Sequence, residues 1–329
     1  MPTARANEEL SRRTDRLLPS SRHQTRRQTE LEWVRHHGWA PELLNAHDSV
    51  VALRKTGGEI GPPMGSTGAS LLLWCLGLTD VDPVEWDLAP SLFYRASADA
   101  AQRCRWYASA LGASGNARFD ADPLVDCMDT VPEFTVPRRQ GSSPAHQVSR
   151  RVAAQWTQDV NSSGGSRRNS WEGSTDIPSP KEVLYHCHHR GFDDLLCALA
   201  LARPGPAACG MLDEYLAADE PAGLPPILAI SLGVPVFREQ LHWLGASLLD
   251  LDIDETNDFV RRVQEQPEGD WVTRIRAKLL DRGLDRDWVH RFCDQVGRWS
   301  LYLFPLSHAL GRARLISATI STTNEGTQQ

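Results

Sequence analysis

Gly61-Pro-Pro-Met-Gly-Ser-Thr-Gly-Ala-Ser70 is a glycine- and serine-rich stretch that runs directly into the apolar residues 71–76. Glycines allow backbone N–H groups to approach a phosphate closely, and a hydroxyl near the start of a helix adds a further donor. Gly65 and Ser66 combine these two properties in adjacent positions. A tight turn into a packed helix requires the same glycines, so the stretch is typical of either a phosphate loop or a structural turn. Both interpretations predict a loop at 60–69 and a helix at 70–78.

The composition is that of an ordinary globular protein. The chain has 329 residues, 41% of them hydrophobic, and a formal net charge of −7, whereas a dedicated duplex-binding protein is more often basic. No apolar run approaches the ~20 residues of a membrane helix, and the N-terminus lacks the apolar core of a secretory signal. The seven cysteines include no Cys-x-x-Cys pair, which favours a reducing compartment. We therefore expect a cytoplasmic protein with no membrane partner.

Changes in composition divide the chain. Residues 1–30 are polar and Arg-rich, which predicts a disordered basic arm. Residues 161–180 are rich in Ser, Gly and Arg and end in Pro178-Ser-Pro180, which predicts a linker at the domain boundary. Residues 181–320 have helical periodicity, with Asp285 and Ser307 as predicted N-caps. Residues 321–329 are predicted to be a disordered tail.

Four stretches follow one another in an order that resembles the catalytic subunit of bacterial DNA polymerase III, its alpha subunit, which is a C-family polymerase. Any one of them alone is a weak signal. They are the Gly/Ser loop with its continuation Leu76-Gly-Leu-Thr-Asp-Val-Asp-Pro83; Phe192-Asp-Asp-Leu195 with Ala200-Leu-Ala-Arg-Pro-Gly-Pro206; Phe237-Arg-Glu-Gln240; and Tyr302-Leu-Phe304 with Ser307-His-Ala309.

The resemblance implies an α+β, mainly helical fold. Residues 31–160 would be a reduced, nucleotidyltransferase-like palm remnant, and residues 181–320 an all-helical, fingers-like domain. It also implies that Gly65, Ser66 and Arg203 contact a nucleotide phosphate. However, the family carries an arginine directly before the Gly-Ser pair, and this chain has Met64 there.

The resemblance further indicates an altered catalytic metal site. Nucleotidyl transfer requires carboxylates that hold two Mg²⁺ ions, and the family places aspartates alternately along one strand. Residues 131–139 match this strand best. The positions of the metal-binding aspartates fall there on Thr135 and Pro137, and only Glu133 is acidic. As a rival placement, Asp120 and Asp122 would share a strand face and could bind Mg²⁺. The alternative for these two aspartates is a polar turn.

These features lead to three hypotheses. In the first, the chain is a pseudoenzyme of DNA replication or repair, a scaffold that binds DNA weakly or binds a protein partner. In the second, it is a repurposed Mg²⁺-dependent nucleotidyltransferase that takes a nucleoside triphosphate and a small acceptor, with Asp120, Asp122 and Glu133 as its candidate catalytic residues. In the third, it binds or converts a metabolite of a specialised biosynthetic pathway, for which the sequence offers no positive sign.

Overall fold

The computed structural model describes residues 3–15, 18–55, 58–60, 65–94, 108–110, 178–187, 191–219 and 221–313. The chain forms two compact units, Met1–Thr135 and Val136–Gln329. The division between them falls outside the described residues, as do residues 161–177 of the predicted linker. The boundary at 161–180 therefore stays a prediction. The predicted tail at 321–329 also lies outside the described residues.

The first unit is built mainly from helices. Its elements are α1 (Thr3–Thr14), α2 (Ser21–His37), α3 (Ala40–Lys55), β1 (Gly58–Ile60), a 3₁₀ turn (Thr67–Ala69), α4 (Leu71–Cys75), a second 3₁₀ turn (Pro90–Leu92) and β2 (Ala108–Ala110). The two strands pair antiparallel, with Glu59 opposite Ser109. Among the described residues of the first unit, β1 and β2 are the only strands.

The predicted disordered arm is wrong, because its residues form α1 and the first part of α2. Along α1, Ala6, Leu10 and Thr14 recur every four residues, and all three are fully buried. Arg27 of α2 donates from Nη2 to the carbonyl of Ser11 at 2.6 Å, joining the two helices. The low apolar content of these residues suggested disorder. One narrow buried stripe is nevertheless sufficient to stabilise a helix when neighbouring helices cover that stripe.

Helix α4 confirms the start of the predicted helix at 70–78. Ser70 is its N-cap and accepts a hydrogen bond from the N–H of Leu73. The helix is hydrophobic on all sides, and Leu71, Leu72 and Leu73 are fully buried. It ends at Cys75, before the predicted end at 78. An isolated α4 would expose this apolar surface, so it depends on the surrounding helices of the unit.

The regular secondary structure in the described residues of the second unit is helical, apart from one isolated β-bridge. Its elements are α5 (Pro180–His186), α6 (Phe192–Leu201), α7 (Pro204–Ala208), α8 (Met211–Ala217), α9 (Pro226–Ala229), α10 (Arg238–Trp243), a π turn (Leu244–Leu248), α11 (Ile253–Glu265), α12 (Trp271–Asp281), α13 (Arg286–Trp299) and α14, whose described part is 306–313.

The two predicted N-caps have different outcomes. Asp285 caps α13 as expected, because its carboxylate accepts from the N–H of Trp288 at 2.8 Å. Ser307 is not an N-cap, because α14 has already begun at Leu306. Its N–H donates instead to a carboxylate oxygen of Glu239 at 2.9 Å. The cap of α14 thus comes from a distant side chain.

A short backbone pairing joins two of the family-like stretches. Phe237 and Phe304 form a parallel β-bridge, in which the N–H of Phe304 donates to the carbonyl of Val236 at 2.9 Å. The N–H of Arg238 returns a bond of 2.9 Å to the carbonyl of Phe304. Residues 236–240 are thereby held against residues 303–307.

The fold is therefore mainly helical, as expected. The nucleotidyltransferase-like palm is not tested, since Glu133, Thr135 and Pro137 lie outside the described residues. Among the helices that are described, none has both the length and the apolar character needed to cross a bilayer.

Candidate functional site

The Gly65–Ser66 pair lies in the first unit, immediately before the 3₁₀ turn that leads into α4. Gly65 has a φ of 56°, in the left-handed region that favours glycine. Apart from its chain neighbours, no atom of the described residues lies within 4 Å of the position that a Cβ on Gly65 would occupy. The side chain of Ser66 makes no capping hydrogen bond to the turn. The loop therefore presents a half-buried hydroxyl next to a glycine in the left-handed conformation.

The N-terminus of α4, just after this loop, is occupied by the carboxylate of Glu30. Glu30 is fully buried, and its two oxygens accept from the N–H groups of Leu71 and Leu72, each at 3.1 Å. Ser70 accepts from the N–H of Leu73 at 3.2 Å. A helix N-terminus is a natural phosphate site, but here the protein's own side chains satisfy these donors. A phosphate would have to use the preceding loop.

Arg26 and Tyr94 complete the network around Glu30. Arg26 donates to Glu30 Oε1 at 2.5 Å and to the carbonyls of Leu88 and Ala69, both at 2.8 Å. The hydroxyl of Tyr94 donates to Glu30 Oε2 at 2.7 Å. Burial raises the pKa of Tyr94 well above its usual range, so the phenol remains a neutral donor. The network fixes the position of the loop by joining α2 to both ends of residues 69–94.

A second cluster forms in the other unit around Arg203. Its Nε donates to the carbonyl of Ala200 and its Nη2 to the carbonyl of Tyr302, both at 2.6 Å. The guanidinium carbon lies 4.8 Å from the centre of the Phe304 ring. Burial and then the charge of Arg238 lower the pKa of Arg203 to about 10. The side chain is thus a cation at neutral pH, held in one position.

Two further arginines add positive charge to this cluster. Arg238 donates from Nε to the carbonyl of Leu303 at 3.0 Å, beside the carbonyl that Arg203 uses. Arg312 is half-buried on α14, and burial lowers its pKa from the usual value. Among the residues that the structure describes, no ion pair joins Arg203, Arg238 or Arg312 to a carboxylate. The cluster therefore has more positive than negative charge: Arg203 and Arg312 are half-buried, Arg238 is exposed, and Glu239 is the neighbouring carboxylate on which the charge of Arg238 acts.

His308 lies within the same cluster as an uncharged ring. Its imidazole stacks on Phe304, with 5.1 Å between ring centres. Burial first, and then the charges of Arg312 and Arg203, lower the pKa of His308 to about 4. The ring therefore adds no charge at neutral pH.

The depressed pKa of His308 predicts a loss of stability in acid. The unfolded chain binds a proton near pH 6.5, but the folded protein does so only near pH 4, so stability falls as the pH drops through this window. We expect protonation of His308 to lower the free energy of unfolding by about 3 kcal/mol between pH 7 and pH 4, since one pKa unit corresponds to about 1.4 kcal/mol. Urea unfolding at pH 7 and pH 4 measures it. His308→Gln should reduce the acid loss, and an equal loss in that variant would contradict the prediction.

The sequence-predicted site residues have separate locations. Gly65 and Ser66 belong to the first unit and Arg203 to the second, while Asp120, Asp122 and Glu133 lie outside the described residues. Within the part of the chain that is described, no group of three His, Cys, Asp or Glu side chains could hold a metal ion.

Sequence reasoning missed several residues of these two clusters. Glu30 and Arg26 fell within the predicted disordered arm, and nothing in the sequence distinguishes Arg312. Arg238 could have been found, because it lies inside the family-like stretch 237–240. Its role became visible only when the β-bridge placed it beside Arg203.

Two family models match the chain. The bacterial DNA polymerase III alpha NTPase domain matches residues 3–99, which include the Glu30 network and the Gly65–Ser66 loop. The bacterial DNA polymerase III alpha subunit finger domain matches residues 178–286, which include Arg203 and Arg238. These matches correspond to the two units of the structure.

The chain is also similar to curated error-prone DNA polymerases. It is 31% identical over 156 residues to that of Aromatoleum aromaticum, covering 38% of this chain and 15% of the relative. It is 31% identical over 153 residues to that of Azoarcus sp., covering 42% of this chain and 14% of the relative. It is 30% identical over 142 residues to that of Anaeromyxobacter dehalogenans, covering 40% of this chain and 12% of the relative. The chain thus spans no more than about one seventh of the length of these relatives.

The two matched models define a class of protein, a polymerase-related chain with an NTPase-domain part and a finger part. The chain is a bacterial DNA polymerase III alpha-like, partial protein. The resemblance to this family is confirmed, and the first three of the four stretches lie inside the matched residues.

Proposed function

We propose that this chain is a DNA polymerase III alpha-like protein that binds nucleic acid through its second unit and does not copy DNA. The observation that carries the proposal is the cluster of Arg203, Arg238 and Arg312, which has no carboxylate ion-pair partner in the described residues. Arg203 and Arg312 are half-buried, whereas Arg238 is exposed, and partly buried cations require compensating negative charge. Phosphodiesters supply it, and guanidinium groups match phosphate geometry closely.

The exposed surface beside this cluster supports nucleic acid rather than an isolated phosphate ion. Tyr302 is 43% exposed and Leu301 is 68% exposed, and the carbonyl of Tyr302 is bonded to Arg203. Single-stranded nucleic acids bind where arginines contact the backbone and aromatic rings stack on the bases. An aromatic ring next to fixed arginines fits this mode of binding.

The lack of polymerase activity rests on the sequence of the palm-like remnant. Thr135 and Pro137 hold the expected metal positions, and neither residue type can replace a carboxylate ligand of Mg²⁺. Met64 likewise removes a cation that the family places before the Gly-Ser pair. A Mg²⁺-dependent extension of a primer by the purified protein would refute this part of the proposal.

Fluorescence anisotropy with labelled single-stranded and primer–template DNA tests the binding. We expect binding that weakens as salt rises, and Arg312→Gln should reduce affinity about tenfold and lower the salt slope by about one. Arg312 is the preferred position because its side chain makes no hydrogen bond in the described residues, so its loss should not disturb the fold.

Arg261→Gln is the matched control for this experiment. Arg261 is an exposed arginine of the same unit that is neutralised by Asp258 at 3.1 Å and Glu265 at 3.3 Å. It should leave DNA affinity unchanged. An equal loss of DNA affinity in both variants would mean that the attraction is non-specific. If the wild-type protein shows no salt-dependent DNA binding, a protein partner is favoured instead.

A second candidate function follows from the Gly65–Ser66 loop, where a glycine with positive φ precedes a hydroxyl that makes no capping hydrogen bond. In this alternative the loop contacts a nucleoside triphosphate, and Asp120 and Asp122 hold Mg²⁺ for transfer to a small acceptor. A rise in melting temperature with Mg²⁺ and a nucleoside triphosphate would support it. The rise should disappear in the Asp120→Ala, Asp122→Ala double variant, and persistence of the rise would exclude these ligands.

A further inference from the structure

Three side chains of the first unit form a continuous hydrogen-bonded relay outside both clusters. Ser20 Oγ lies 2.7 Å from Nδ1 of His23, and Nε2 of His23 lies 2.9 Å from Oδ2 of Asp82. One tautomer satisfies both contacts, with the proton of Nε2 donated to Asp82 and the hydroxyl of Ser20 donated to Nδ1. This is the arrangement of nucleophile, base and orienting carboxylate found in serine hydrolases, although the two ring nitrogens exchange roles.

The surroundings hold the imidazole in this orientation. His23 is 7% exposed, and its ring lies 5.9 Å from that of Trp74. The other oxygen of Asp82 accepts from the N–H groups of Val84 at 2.9 Å and Glu85 at 3.3 Å, which fixes the carboxylate. Base and carboxylate are therefore both fixed before any substrate arrives.

Ser20 is the exposed end of the relay. It occupies the N-cap position of α2, yet its side chain makes no capping hydrogen bond. A serine at this position usually accepts from the N–H groups of the first turn. Here the hydroxyl is directed to His23 instead.

We propose that Ser20 is an activated nucleophile that takes acyl or phosphonyl groups from activated esters and related electrophiles. This activity is separate from nucleic-acid binding and does not depend on it. Ser20 Oγ forms a bond to the carbonyl carbon while its proton passes to Nδ1 of His23. The ester C–O bond breaks, and the leaving oxygen takes that proton. Water then releases the acyl group by the same route, and Asp82 acts as a positioning residue.

A fluorophosphonate probe tests the proposal on the full chain. Attack by Ser20 forms the O–P bond, fluoride leaves, and the proton passes through His23, so each event adds one phosphonyl group detectable by peptide mass spectrometry. Ser21 is an exposed serine one residue away that has no relay. We expect Ser20 to be labelled about 100-fold faster than Ser21, since a positioned base contributes ~10²–10⁴ in rate. Equal labelling of the two serines would overturn the proposal.

Substitutions in the relay separate activation from a purely structural brace. His23→Gln and Asp82→Asn should each slow labelling of Ser20 at least about tenfold in samples that still unfold cooperatively, and hydrolysis of p-nitrophenyl acetate should fall in parallel. Asp82→Asn keeps an oxygen for the N–H groups of Val84 and Glu85, so the turn should survive. If both variants lower the melting temperature but leave the labelling rate unchanged, the relay is structural only. If His23→Gln does not fold, the ratio between Ser20 and Ser21 in the wild type decides.

Discussion

Glu30→Ala is expected to lower the free energy of unfolding by about 3–5 kcal/mol, the range for breaking a buried charge pair by removing one partner. The carboxylate is fully buried and serves Arg26, Tyr94 and the first turn of α4 together. Its removal leaves the partly buried Arg26 guanidinium without its counterion. It also leaves the N–H groups of Leu71 and Leu72 without an acceptor.

Urea unfolding followed by circular dichroism measures the loss for Glu30→Ala in the full chain. Hydrogen exchange should locate it, with the amides of α4 losing protection before those of the second unit. Glu32→Ala is the matched control, since Glu32 lies two residues away on the same helix and is exposed. It should change stability by less than about 0.5 kcal/mol. A Glu30 variant as stable as the control would show that the network contributes nothing net.

Glu239→Ala is expected to cost about 3 kcal/mol, with the effect centred on α14. Glu239 is 1% exposed, and its oxygens accept from the N–H groups of Leu306 at 2.7 Å and Ser307 at 2.9 Å. Hydrogen bonds to a charged group contribute about 1.5–3 kcal/mol each, and an unsatisfied buried donor adds its own penalty. Without the carboxylate, α14 has no cap at its buried N-terminus, and the segment that carries Phe304 should loosen.

Glu239→Gln separates the contribution of the negative charge to stability from the contribution of the side-chain shape. The glutamine oxygen can replace one acceptor, but its NH₂ group faces the second N–H, so the loss should be intermediate. Urea unfolding gives the total change, and hydrogen exchange over 303–313 shows whether it is local. Glu265→Ala, at an exposed residue of the same unit, should have little effect. Unchanged exchange in α14 would contradict the capping role of Glu239.

Sequence reasoning predicted the local features well, for a definite physical reason. Asp285 caps a helix that begins at the next residue, and its carboxylate accepts from the N–H of Trp288 three residues on, so a short window contains both partners of the hydrogen bond. The family-like stretches likewise depend on contiguous residues. Arg203 was singled out because it belongs to such a stretch, although its carbonyl partner Tyr302 could not be foreseen.

The failures concern residues whose partners lie far away in the chain. The predicted arm was judged by its composition, whereas its fold depends on α3 covering one stripe of α1. Ser307 was expected to cap α14, but the cap comes from Glu239, 68 residues earlier.

The sequence by itself therefore determined the family resemblance, the mainly helical character and the cap at Asp285. Only the tertiary structure decided that Glu30 would fill the N-terminus of α4, because this bond spans 41 residues. Only tertiary contacts assembled the three arginines and the relay of Ser20, His23 and Asp82. Burial and charge compensation depend on which distant groups meet, and no local pattern of residues specifies that.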